Sequence, residues 1–125
     1  VRILLVEDSS AMRAFVRATL EEDGDVVLTE APSGFEALRL LPRDKYDLVI
    51  SDINMPDING LEVIAFMRRS ESHRDTPLLI ISTEASVRDR ERAMTLGANA
   101  YLTKPFQPEE LRDAVRRLRA PGAGG

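Results

Sequence analysis

Cysteine is absent from this 125-residue chain, tryptophan is absent too, and histidine occurs once, as His73. Without cysteine there is no disulfide framework and no thiolate chemistry, which suits a reducing cytoplasm, and a zinc centre is disfavoured. His73 lies among Ser72, Arg74 and Asp75, a loop context that reads as a solvated surface histidine rather than a ligand or catalyst. No apolar run approaches the roughly 18 residues of a membrane span. The start, Val1-Arg2-Ile3-Leu4-Leu5-Val6, meets acidic residues too soon for a signal peptide. A soluble, cytoplasmic protein is expected. Basic charge is also in deficit: a net charge of -4 argues against a nucleic-acid groove, which wants a basic surface. Arg112, Arg116, Arg117 and Arg119 cluster near the end, on the side of a helix away from its apolar stripe, and read as a solvated face.

What is present is an ordinary globular balance, 43% hydrophobic and 30% charged, at a length suited to one domain. Residues 2 to 6 form a first aliphatic run, and Glu7-Asp8-Ser9-Ser10 follow as a turn and a helix N-cap. Met12, Phe15, Val16 and Leu20 then line one helical face, which stops near Gly24. A second extended segment is expected from about Asp25 to Glu30. After Pro32-Ser33-Gly34, a second helix carries Ala37, Leu38 and Leu41 and ends at Pro42. The run Asp47-Leu48-Val49-Ile50-Ser51-Asp52 reads as a strand buried on both faces that delivers one carboxylate, Asp52, at its downstream end. Pro56 takes the chain out of the sheet. Asn59-Gly60 reads as a turn whose residues tolerate positive φ, before a helix bearing Leu61, Ile64, Ala65 and Met67.

Pro77 opens a fourth strand, Leu78-Leu79-Ile80-Ile81, which runs into Ser82, Thr83 and Glu84. The helix from about Ala85 to Leu96 is poorly amphipathic, its Val87, Ala93, Met94 and Leu96 diluted by five charged residues from Arg88 to Arg92; such a helix packs weakly and is a candidate for movement. A short fifth strand, Ala100 to Thr103, is broken by Lys104-Pro105. The last helix starts at Gln107-Pro108-Glu109-Glu110 and buries Leu111, Ala114, Val115 and Leu118. Residues 120–125, Ala-Pro-Gly-Ala-Gly-Gly, read as a flexible tail or the start of a linker.

Strict alternation of strand and helix implies one doubly wound α/β domain, residues 1–119, with a parallel sheet, right-handed crossovers and helices on both faces. In such a sheet every downstream strand end lies on one edge. That edge collects Glu7 and Asp8, Asp52 and Asn54, Ser82 and Thr83, and Lys104. Each residue alone reads as a cap or a solvated side chain; together they suggest a site. Carboxylates forced together repel and are commonly reconciled by a hard cation bound through oxygen, for which Mg²⁺ fits better than Zn²⁺. With Lys104 opposite, such a site could neutralise a phosphoryl group in transfer, leaving Asp52 as a metal ligand alone or as the nucleophile.

Taken together, Glu7-Asp8, Asp52 with Met55-Pro56 and Gly60, Ser82 after Leu78-Leu79-Ile80-Ile81, and Lys104-Pro105-Phe106 resemble the receiver domain of bacterial two-component response regulators, from about Arg2 to Leu118. The resemblance implies a flavodoxin-like three-layer sandwich, a five-stranded parallel sheet of order 2-1-3-4-5 with five helices. It further implies that Asp52 accepts a phosphoryl group from the phosphohistidine of a histidine kinase or phosphotransfer domain. Mg²⁺ would be held by Asp8 and Asp52 side chains and the Asn54 carbonyl, with Glu7 acting through water. Lys104 would grip a phosphoryl oxygen, and Lys104-Pro105 would be cis.

By the same resemblance Ser82 would reach toward the modified Asp52 and make room for Tyr101, remodelling the face of the fourth helix, fifth strand and fifth helix where a downstream protein docks. Tyr101 could equally cap the core edge. Ser82 stands where many members carry Thr, and Glu7 where some carry Asp. Asn54 and Glu84 resemble a chemotaxis-branch pair that tunes how fast water removes the phosphoryl group. No turnover of an external substrate is expected: a Mg²⁺-dependent aspartyl phosphohydrolase would place an acid two residues after its nucleophile, and Asn54 stands there. A receiver module cut from a larger regulator or hybrid kinase fits the same residues. A nucleotide-binding module is disfavoured because no Gly-rich loop follows the first strand, and a receiver without phosphorylation because the acids, Ser82 and Lys104 are all in place.

Overall fold

A computed structural model describes residues 1–83 and 87–119. The elements run β1 (Arg2–Val6), α1 (Ser10–Glu21), β2 (Val27–Ala31), α2 (Gly34–Leu40), β3 (Leu48–Asp52), α3 (Gly60–Arg69), β4 (Leu78–Ser82), α4 (Val87–Leu96), β5 (Ala100–Thr103) and α5 (Pro108–Arg119). All pairings are parallel and the strand order is 2-1-3-4-5, as the flavodoxin-like reading requires.

The continuous aliphatic runs exist because both sheet faces are covered, so successive residues of one strand enter opposite cores. Ile3, Leu5, Ile50, Leu79 and Ile81 pack with Val16 and Leu20 of α1 and Leu111, Val115 and Leu118 of α5. Leu4, Val6, Val49, Leu78 and Ile80 pack with Leu41, Ile64, Met67 and Ala93 on the other side. Every residue of β3 and β4 is buried, which places the two central strands and the polar residues at their downstream ends in a fixed frame.

Helix α4 differs from the others. Ala93 is its one buried residue, while Val87, Met94 and Leu96 are 67%, 42% and 40% exposed, in keeping with the weak packing expected of it. No helix of the described residues is long and apolar enough to cross a membrane.

Four expectations need correction. Strand β2 begins at Val27 rather than Asp25: the Asp25 carbonyl instead accepts from the Val1 ammonium at 2.7 Å, and its carboxylate pairs with Arg119 at 2.6 Å. Arg112 and Arg119 are accordingly not simply solvated; Arg112 binds Glu22 and Glu109, so the two tie α5 to the far end of α1 and the entry to β2. Asn59 and Gly60 have no positive φ. Asn59 (φ -66) is the N-cap of α3, its side chain accepting from Leu61 N at 2.7 Å. Gly60 is required by proximity, because a Cβ there would lie 2.2 Å from the Asp52 carbonyl oxygen.

His73 is the fourth correction. It is fully buried, stacked on Tyr46 at 5.9 Å. Its Nε2 lies 2.9 Å from the Leu41 carbonyl and 3.0 Å from that of Asp44, acceptors that require Nε2 to carry the proton; Nδ1 then accepts from the Thr76 hydroxyl at 3.1 Å. It is a structural histidine that ties the loop after α2 to the loop after α3.

Candidate functional site

Glu7 follows β1 and extends its ladder by one bond, donating N–H to the Ala31 carbonyl at 3.0 Å. The turn into α1 is set by two hydrogen bonds: Ser9 Oγ caps Met12 N at 3.2 Å, and Ser9 N donates to Glu7 Oε2 at 2.9 Å. Arg13, one turn into α1, donates to the Glu7 carbonyl at 2.8 Å and pairs with Glu30 at 3.1 Å. Glu7 is thereby held at backbone and side chain and is fully buried, while Asp8 beside it is exposed.

Asp52, the last residue of β3, is 5% exposed. Its Oδ1 accepts from Asn54 N at 3.2 Å, which turns the carboxylate toward the loop. Lys104 arrives from the end of β5, its N–H donating to the Ser82 carbonyl at 2.7 Å, and the peptide to Pro105 is cis as expected. Its Nζ donates to Glu7 Oε1 at 2.5 Å and to Asp52 Oδ2 at 3.1 Å. Glu7, Asp8 and Asp52 each offer a carboxylate oxygen, all within 4.8 Å of one another.

Burial pushes the Glu7 carboxyl above its ordinary value, against the opposing hydrogen bonds of Lys104 and Ser9 N. For Lys104 burial is the largest single influence and opposes the charge. Glu7 and Asp52 together outweigh it, so the ammonium is held above its ordinary value. Lys104 bridges the two buried acids and offsets their mutual repulsion.

Ser82 is fully buried at the end of β4, in register with Thr103 and one residue beyond Ile81, the partner of Asp52. Tyr101 is half-buried on β5, packed against the core on the α4 side with the Arg90 guanidinium 5.8 Å from its ring centre. Asn54 is exposed in the loop after β3. Glu84 lies outside the described residues. The structure thus brings Glu7, Asp8, Asp52 and Lys104 to one rim, with Asn54 and Ser82 on the adjoining segments. Sequence reasoning placed a turn and an N-cap at Ser9 but missed Arg13, which carries no spacing signal because its partner Glu30 is brought to it by folding.

The donor set is all oxygen, which fits a hard divalent cation. Glu7 and Asp52 each have both oxygens engaged, by Lys104 and by Ser9 N or Asn54 N, while Asp8 stands exposed beside them.

Comparison with known proteins agrees with this fold. The family model for the response regulator receiver domain matches residues 3–116. A chemotaxis protein CheY homolog of Campylobacter jejuni is 34% identical over 125 residues, covering 99% of this chain and 96% of its own. The structure of the chemotaxis response regulator CheY4 of Vibrio cholerae superposes with a TM-score of 0.86 at 34% identity, covering 94% of this chain and 97% of that one. The receiver domain of a sensor histidine kinase from Pseudomonas aeruginosa, solved with a magnesium ion coordinated in its active-site cleft, gives a TM-score of 0.86 at 31% identity, over 94% and 96% of the two chains. The matches run along nearly the whole described chain, and the protein belongs to the receiver domains of two-component response regulators.

Proposed function

We propose that Asp52 is the phosphoacceptor of this receiver domain. The observation that carries the reading is the contact of one buried ammonium, Lys104, with both Asp52 and Glu7 at the mouth of the sheet. An Asp52 oxygen attacks phosphorus of a phosphohistidine on a histidine kinase or phosphotransfer domain. The P–N bond breaks, its electron pair and a proton remain on the imidazole, and Asp52 becomes an acyl phosphate. Asp8, Asp52 and the Asn54 carbonyl would hold Mg²⁺, with Glu7 reaching it through water; when bound, the ion supplies charge neutralisation for the phosphoryl oxygens. Glu7 positions Lys104, and Lys104 is the group able to leave a carboxylate and take up a phosphoryl oxygen.

The protein acts as a switch rather than a turnover catalyst, because Asn54, two residues past Asp52, has no proton to give a leaving group. The modified Asp52 draws the Ser82 hydroxyl, and Tyr101 moves with it, altering the α4–β5–α5 face for a downstream protein. The light packing of α4 supports this route, since it opposes the change with little buried surface. Asn54 and Glu84 tune the phosphoryl lifetime.

Incubation with acetyl phosphate and Mg²⁺ tests the reading by intact mass. Gain of one phosphoryl group is expected, with none when the metal is chelated and none in Asp52→Asn. Undiminished modification of Asp52→Asn would overturn it.

A further inference from the structure

The loop between Asp52 and α3 carries Asn54 and has two fastenings. Its base is closed where Gly60 N donates to the Ile53 carbonyl at 2.8 Å. Its middle is fastened across 22 residues to α2: Asp57 Oδ2 accepts from Phe35 N at 2.9 Å, and Oδ1 from Gly34 N at 3.3 Å. The contact is close, since a Cβ on Gly34 would lie 2.6 Å from the Ile58 carbonyl oxygen. These amides, Phe35 foremost, hold the Asp57 carboxyl below its ordinary value, so it is ionised at neutral pH.

The first turn of α2 has orphan amides to satisfy, and two acceptors divide them. Ser33, the N-cap, takes Glu36 N at 3.1 Å and is local to the helix. Asp57 comes from the loop. A cap that served only the helix could be supplied by the neighbouring chain, as Ser33 is; a carboxylate reaching from the loop fixes the loop as well. Three residues before Asp57 stands Asn54, whose N–H orients the Asp52 carboxylate at 3.2 Å.

We infer that Asp57 is a positioning residue that holds the 53–59 loop against α2 and so sets the Asn54 carbonyl and the Asp52 carboxylate for the divalent cation. The inference rests on the functional reading above. Ser33 supplies its internal control, being a cap on the same helix terminus with no link to the loop.

The test is a Mg²⁺ titration followed by amide NMR, with acetyl phosphate modification measured alongside, on the unsubstituted protein, Asp57→Ala, Asp57→Asn and Ser33→Ala. Asp57→Ala is expected to weaken Mg²⁺ binding by about tenfold, as loss of a support behind a ligand does, and to lower the modification rate at subsaturating Mg²⁺ in proportion. Asp57→Asn, which keeps one acceptor oxygen, restores part of the affinity, and the Phe35 amide exchanges faster in Asp57→Ala than in Asp57→Asn. Ser33→Ala lowers thermal stability and leaves Mg²⁺ affinity unchanged. Unaltered affinity in Asp57→Ala and Asp57→Asn, or an equal loss in Ser33→Ala, would overturn the inference while leaving Asp52 as phosphoacceptor intact. Absence of Mg²⁺ binding in the unsubstituted protein would remove both.

Discussion

The Arg68 cluster at the upstream end of β4 and the rim at its downstream end handle polar groups in opposite ways. At the upstream end, Arg68 donates to the carbonyls of Gly97, His73, Arg74 and Thr76 and to Asn99 Oδ1, with no carboxylate among them. Asn99 Oδ1 also takes Leu78 N at 2.8 Å, and Asn99 N returns a bond to the Leu78 carbonyl at 2.9 Å. His73 closes the neighbouring loops in the same manner. Cation and dipoles there satisfy one another, and the ensemble holds loops in place. At the downstream rim two buried acids share one lysine, and a third acid stands exposed beside them. The proposed divalent cation would offset the repulsion within such a cluster. On the proposed reading, one end is finished by folding and the other by binding.

The widest separation between the two ends should come from Arg68→Ala. Leaving its part-buried carbonyls without a donor should cost about 3 kcal/mol of folding stability by urea titration, while the acetyl phosphate modification rate per folded molecule stays unchanged. A stability loss accompanied by loss of modification would break the contrast. His73→Phe keeps the stacking on Tyr46 and removes the donor to the Leu41 and Asp44 carbonyls. The expected cost is smaller, about 2 kcal/mol, again without effect at the rim.

The subtlest difference is in pH dependence. The folded-state value of Lys104 is raised, so the stability that its ammonium contributes is complete below the unfolded-state value and is lost as pH rises through the folded one. Alkaline titration should therefore lower the stability of the metal-free protein more than that of Lys104→Gln, and saturating Mg²⁺ should shrink the difference. Identical alkaline profiles would show that the lysine does not hold the acids together.

Much of the fold and of the rim is legible in the sequence. The aliphatic runs after Arg2, Asp47 and Pro77 read as strands covered on both faces, and the polar residue following each run marks the rim directly, because strand direction decides where it goes. What escaped were contacts made by groups with ordinary local surroundings. His73 sits between polar neighbours in sequence, yet its acceptors lie 32 and 29 residues away. Gly60 resembles a turn glycine, and its true constraint is the Asp52 carbonyl behind it. Arg112 and Arg119 look like half of a solvated face until the end of α1 and the Asp25 carboxylate come within reach. Local pattern reports which face is apolar; it carries no information about which surface polar group will meet a partner from a distant segment.

The claim on which the rim reading depends is that a single carboxylate carries the phosphoryl group. Borohydride reduction of the acetyl phosphate-treated protein, followed by peptide mass spectrometry, converts an acyl phosphate to the corresponding alcohol and so reports its position. Conversion at position 52 alone is predicted, and it should vanish when Mg²⁺ is chelated. Conversion at Asp8 or Glu7, or at no position, would contradict it.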